Sequence, residues 1–128
     1  MEHRIRSAAL IIEGNRVLLV KHRHPRTGKE FLVPPGGGLQ HPKSIYDCAR
    51  RETFEETGLS VEMGTIAYVR EFADLEFQRH HLEIFIMAAS HSGKVTLEHV
   101  VPGDPDAEYI QGGPVPLQGG DGGHHRVP

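Results

Sequence analysis

A single α/β domain is what this sequence predicts, on three observations. The apolar runs Ala8 to Ile12 and Val17 to Val20 have the β-branched composition of buried strands. The segment from Ser44 to Gly58 carries one inward stripe at helical spacing, and Leu82 to Ala89 is a nearly unbroken apolar run of central-strand type. A length of 128 residues suits one compact core and is too short for two ordinary domains. The expected boundaries are residues 1–117 for the domain and 118–128 for a flexible tail, because QGGDGGHHRVP holds too little apolar surface to offset the entropy of ordering it.

Taken in order, the chain opens as a hairpin. Arg4 to Glu13 and Arg16 to Lys21 are strand-like, and Gly14-Asn15 between them suits a tight turn. From His22 to Glu30 the chemistry is that of a loop, with Pro25, Gly28 and the cations Arg23, Arg26 and Lys29. These cations are either a solvated loop or an anion-attracting rim, and only their position in space separates the two. Phe31 to Val33 is a short strand that Pro34-Pro35 ends. Gly36, Gly37 and Gly38 then permit positive φ and close backbone approach to a metal or a phosphate. The helix starts near Ser44, which forms a capping-box-like pair with Asp47, and it stops at Gly58 in the C′ position. Ser60 to Phe72, Leu82 to Ala89, Lys94 to Val100 and Tyr109 to Leu117 are the later strand candidates. Gly112, Gly113, Pro114 and Pro116 interrupt the last of them.

Charge and composition exclude some functions. The formal net charge of −3 comes from 17 acidic and 14 basic residues with the signs interspersed, so no basic excess points to nucleic acid. Arg4 and Arg6 precede an apolar run that Glu13 ends too soon for a signal peptide, and a soluble cytoplasmic protein without membrane contact is the expectation. The single cysteine, Cys48, reads as a small core residue of the helix. Adjacent His80 and His81 on a strand face opposite sides, which argues against their sharing an ion. Phe31, Tyr68, Phe72 and Phe77 are the rings available to stack on a base, with core packing as their competing role.

The helix poses the sharpest question. Its inward stripe begins with Ile45, Cys48 and Ala49 and continues with Glu52, Thr53 and Glu56, so the first half packs and the second half opens into a site. Glu52, Glu55 and Glu56 fall within a sector of roughly 100°. Glu52 and Glu56 are like charges at i,i+4, and all three lie toward the helix C-terminus, where the macrodipole disfavours them. A bound hard cation such as Mg²⁺ or Mn²⁺ is the simplest compensation, and an exposed face salt-bridged by Arg50 and Arg51 is the competing one.

The stretch from Gly37 to Leu59 resembles the Nudix box, G-x5-E-x7-R-E-U-x-E-E-x-G-U with U aliphatic. Gly37, Arg51, Glu52, Glu55, Glu56, Gly58 and Leu59 match, and Lys43 and Thr53 depart. The resemblance to this MutT-like hydrolase family implies a mixed curved sheet with the box helix on one face. The family's closing C-terminal helix is not evident in the sequence, which leaves an exposed sheet face and implies a homodimer. It further implies a Nudix-type pyrophosphohydrolase in which Glu52, Glu55 and Arg51 are catalytic. Gly36, through its carbonyl, would then hold the metal with Glu52, Glu55, Glu56 and a later acidic residue, Glu108. Arg23, Arg26 and Lys43 are the candidate substrate-binding cations. The implied reaction is Mg²⁺-dependent attack of water on a nucleoside diphosphate linked to another moiety, with a nucleoside triphosphate favoured. Lys43 reverses the charge of the first box glutamate, so an impaired, nucleotide-binding or regulatory module is the alternative. Thr53 keeps the β-branched shape and can bond its hydroxyl back to a helical carbonyl.

Overall fold

The computed structural model describes residues 2–23, 27–96 and 115–116. Among them lie nine strands and one helix. The strands are β1 (Glu2–Leu10), β2 (Ile12–Glu13), β3 (Arg16–Val17), β4 (Val20–Arg23), β5 (Glu30–Val33), β6 (Gly36–Gly38), β7 (Leu59–Asp74), β8 (Arg79–Gly93) and β9 (Val115–Pro116). The helix, α1, spans Ile45–Thr57. The main sheet has the order β6-β1-β8-β7, with β1 and β8 parallel and the other pairs antiparallel. It is the mixed sheet the sequence implied. The smaller sheets are β2-β3-β9 and the β4-β5 hairpin. The tail at 118–128 and the region where a closing helix would fall lie outside the described residues, and so does the inference of self-association drawn from them.

Two local expectations are corrected. The opening hairpin is broken: β1 ends at Leu10, and Gly14-Asn15 joins only the two-residue strands β2 and β3, with Gly14 at φ 62°. The glycine run is a strand, and none of its three residues has a positive φ. Its glycines serve close approach. Gly36 pairs with Ala8, and a Cβ there would collide with the Ser7 carbonyl and come within 2.6 Å of Ala8 Cα. Residues 94–96 are not strand, and of the Tyr109 to Leu117 candidate only Val115 and Pro116 are described, paired with β3.

Helix α1 forms where its caps dictate. Ser44 Oγ accepts the Asp47 N–H at 3.1 Å, and Gly58, at φ 82°, donates its N–H to the Phe54 carbonyl at 2.8 Å. Its first half docks on β1 and β6, where Ser7 Oγ donates to the Ile45 carbonyl at 2.9 Å and Cys48 Sγ reaches the Gly37 and Gly38 carbonyls at 3.5 Å. Burial pushes the Cys48 thiol pKa up, which fits an inert core residue. Thr53 is fully buried, and its hydroxyl makes no hydrogen bond among the described residues. The back-bond expected of Thr53 is made one turn on instead, where Thr57 Oγ1 donates to the Thr53 carbonyl at 2.7 Å.

Strand register sorts the main sheet into two faces. Ser7, Ala9, Ile84 and Ile86 alternate toward α1, while Arg4, Arg6, Ala8, His81, Glu83 and Phe85 point the other way. A separate apolar cluster of Ala9, Ile11, Leu18, Leu59 and Val61 ties β1 to the start of β7.

His22 on β4 is buried, edge-on to Phe31 at 5.7 Å, with no hydrogen bond to Nε2 among the described residues. Burial and the charges of Arg6 and Arg4 lower its pKa from 6.5 to about 4. The folded state therefore binds fewer protons than the unfolded one between these values. Stability from neutral His22 is complete above pH 6.5 and is lost as pH falls toward 4, by about 3 kcal/mol. Urea midpoints measured across that window should fall more steeply for the wild type than for His22→Leu, and equal slopes would refute the linkage.

Candidate active site

The acidic half of α1 meets β6 beneath the glycine strand. Glu52 and Glu56 are only 2% and 1% exposed. Burying two carboxylates costs several kcal/mol each unless charge and hydrogen bonds compensate. Two compensations are present. Glu56 Oε1 accepts the Gly36 N–H at 3.2 Å, and the Arg51 guanidinium spans two carboxylates. Arg51 Nη2 donates to Glu52 Oε2 at 3.2 Å, and Nη1 lies 3.4 and 3.3 Å from the two oxygens of Glu55. Burial alone would lower the Arg51 pKa, but the Glu52 and Glu55 charges overcome it and raise the value, so this cation is permanent.

The donor set is chemically suited to a hard divalent cation. It consists of carboxylate oxygens from one helix, two of them almost inaccessible to water, without thiolate or imidazole. Geometrically the set is divided, because Arg51 holds Glu52 and Glu55 while the Gly36 amide holds Glu56. Among the described residues no three His, Cys, Asp or Glu side chains converge closely enough to enclose an ion. The contact Gly36 makes with Glu56 is through its amide, not the carbonyl expected as a ligand.

Of the residues predicted from sequence, Gly36, Arg51, Glu52, Glu55 and Glu56 are brought together. Arg23 is directed elsewhere: it forms an exposed ion pair with Glu30 at 2.9 Å along the β4-β5 hairpin. Arg26 and Glu108 lie outside the described residues. Lys43 is exposed and lines an open groove of about 530 Å³ with Asp47, Arg50, Arg51, Phe54, Ser60 and Val61, on the outward side of α1. His80 and His81 do face opposite sides: His80 lies against His3 and pairs with Glu71 at 2.9 Å, whereas His81 stacks on Phe72 at 4.6 Å.

The site is thus a mixed sheet carrying a capped helix with buried glutamates, Arg51 bonded to Glu52 and Glu55 and the Gly36 amide to Glu56. The sequence model of the NUDIX domain family matches residues 2–111. The chain therefore belongs to that family and is, in class, a Nudix pyrophosphohydrolase. Solved structures with similar folds include a MutT NUDIX hydrolase from Burkholderia pseudomallei, with TM-score 0.72 and 24% identity over 91% of this chain and 85% of that one. A MutT protein from Methanosarcina mazei Go1 is similar at TM-score 0.66 and 26% identity, over 77% of this chain and 72% of that one. A NUDIX hydrolase from Nitrosomonas europaea is similar at TM-score 0.66 and 24% identity, over 88% and 70%. Nudix hydrolases as a group use divalent metals and act on small nucleotide derivatives. No described helix is long and apolar enough to cross a membrane.

Proposed function

We propose that this chain catalyses Mg²⁺-dependent hydrolysis of a nucleoside diphosphate linked to another moiety, with a nucleoside triphosphate as the favoured substrate and the cytoplasm as its place of action. The observation that carries this reading is the pair of nearly inaccessible carboxylates, Glu52 and Glu56, held on one helix against Gly36 and Arg51. Glu52, Glu55 and Glu56 would hold the ion, with the Gly36 carbonyl and Glu108 as further ligands. When bound, Mg²⁺ supplies charge neutralisation on the non-bridging phosphate oxygens. Glu52 or Glu55 takes the proton of the attacking water, whose oxygen bonds to phosphorus as the bridging P–O bond breaks and the second product leaves with that oxygen. Arg51 orients both carboxylates, so its release from either one would free that group for the proton.

A second reading, a Nudix module that binds nucleotide and turns it over slowly, is motivated by Lys43 and by the arginine that occupies Glu52 and Glu55. A panel of nucleoside triphosphates and diphosphate conjugates, assayed for phosphate, pyrophosphate and nucleoside monophosphate release, separates the two. Turnover with Mg²⁺ that EDTA abolishes is the expected result. Nucleotide binding without turnover across the panel would favour the module instead, and a sharp rise in activity in Lys43→Glu would show that Lys43 impairs the enzyme.

A further inference from the structure

The two outer strands of the main sheet are unlike. β6 has 3 residues, whereas β7 has 16, and among the described residues no strand pairs with the outer edge of β7. A long open edge is a row of backbone N–H and C=O groups able to pair with another chain. Between Glu62 and Tyr68 the register of β7 against β8 shifts repeatedly, which roughens that half of the edge. From Tyr68 to Asp74 the register is unbroken.

The side chains of this regular half are antisymmetric about Phe72. On the face turned away from α1 they run Arg70, Phe72, Asp74, with a cation on one side of the ring and an anion on the other. Toward the α1 side, Val69 precedes Phe72 by as many residues as Leu75, in the turn after the strand, follows it. Val69 and Leu75 are 55% and 69% exposed, the highest values among the large apolar side chains described. An antiparallel second copy centred on Phe72 meets this pattern with its own reverse. Arg70 then faces Asp74 of the second copy, Val69 faces its Leu75, and Phe72 faces its Phe72. Other centres fail. Glu71 or Arg70 at the axis sets like charges together, Ala73 sets Phe72 against Asp74, and Val69 carries the pairing into the irregular half of β7.

The same alignment continues the rows of each sheet. Within one copy, Glu83 on β8 pairs with Arg70 at 3.6 Å, and Arg79 on β8 stands opposite Asp74. Across the junction the charges therefore alternate as Glu83, Arg70, Asp74 and Arg79, once on each side of the axis. The row between them is made of rings, because Phe72 stacks on His81 at 4.6 Å in each copy. Arg70 keeps its pairing with Glu83, and the junction requires only that a carboxylate, not a second cation, stand on its open side. We propose that this chain forms a two-fold homodimer through the β7 edge at Tyr68–Asp74, joining two four-stranded sheets into one continuous sheet. The contact is isologous, so it occupies the long edge of both copies and closes at two. An unrelated extended peptide would find the same backbone edge without the matching order of charges. Nothing in this contact depends on the chemistry at the glutamates.

The test is the mass in solution by sedimentation velocity at about 100 μM, a concentration suited to a small strand-edge contact. The wild type should run at twice the 14.2 kDa of one chain. Asp74→Arg sets two cations together in each facing pair, and Arg70→Asp sets two anions together, so each variant alone should lose at least about tenfold in dimer affinity. Mixed in equal amounts, the two variants should recover a dimer, because every facing pair between them is again of opposite charge. Val69→Lys, which places an ammonium against Leu75, should weaken the dimer by a similar factor. Ile12→Lys, at an exposed apolar residue of the β2-β3-β9 sheet, should leave the mass unchanged. Circular dichroism and melting confirm folding. Arg70 also meets Glu83, and Asp74 accepts the Phe77 N–H at 3.3 Å, so if either charge variant does not fold, Val69→Lys decides. A wild type that is monomeric at this concentration would overturn the proposal and leave the edge to another part of the same chain. An undiminished dimer in Asp74→Arg and Val69→Lys, an equal loss in Ile12→Lys, or a mixture of the folded charge variants that stays monomeric would each overturn it as well.

Discussion

Replacing Glu56 by Gln is expected to cut turnover by about 10²- to 10³-fold while leaving the fold in place, the scale on which loss of one preorganised electrostatic group acts. The amide keeps an oxygen where Glu56 Oε1 now accepts the Gly36 N–H, so the contact between α1 and β6 survives. What the substitution removes is a negative charge at a position 1% exposed, where a cation's attraction is least screened. Melting temperatures close to wild type with collapsed kcat are the expected signature. Glu56→Ala should behave differently, losing both activity and stability, because the Gly36 amide would then be buried without its acceptor, at a cost of about 1–3 kcal/mol. Full turnover in Glu56→Gln would show that this carboxylate has no part in the chemistry.

The second large effect belongs to Gly36→Ala, and it is structural. The added methyl would meet backbone, the Ser7 carbonyl and Ala8 Cα, in a strand pair with no flexible side chain to move aside. Relief requires β6 to leave β1, and with it the Gly36 amide to leave Glu56. A loss of more than about 3 kcal/mol follows, a large share of the roughly 5–15 kcal/mol that holds an ordinary domain together. A melting temperature lowered by at least ~10 °C is expected. Gly14→Ala is a useful contrast, since its positive φ strains the backbone but its Cβ would meet nothing within 4 Å. If Gly36→Ala melts like the wild type, the close approach of β6 and β1 is wrong.

Much of the box was legible because its chemistry is local. Ser44, Asp47 and Gly58 announce the helix ends by side-chain and backbone rules that need no tertiary information, and the structure obeys them. The crowding of Glu52, Glu55 and Glu56 follows from helical spacing alone. What the residues around them do was harder to read. The sequence shows three glycines after two prolines, which permit positive φ, yet β6 is an extended strand because β1 lies close enough to pair with it. The i,i+4 spacing of Arg51 and Glu55 already allowed their ion pair, and what three dimensions add is that the same guanidinium also holds Glu52. Arg6 is unremarkable in the chain, and its bond to the Pro34 carbonyl is seen only once β1 is placed between β6 and β8. Arg23 is the reverse case. It was readable either as a solvated loop residue or as a rim cation, and the structure pairs it with Glu30 across the β4-β5 hairpin.

The parallel pairing of β1 with β8 has a consequence for how the site comes into being. β7 and β8 form a hairpin of near neighbours, and α1 precedes it directly, so these parts can associate through short loops. β1 must wait. Its partners on β8 are far away in the chain, and the Glu2–Arg79 pair closes a separation of 77 residues. Contacts of such long range are the slow ones in folding. On a ribosome the first strand emerges early and remains without its main partner until β8 has been made. Because β1 also anchors β6, both Gly36 beside Glu56 and Arg4 beside Gly38 take their places only when that strand is inserted. β1, made before β8, is therefore the strand whose late pairing brings the glycine strand to Glu56.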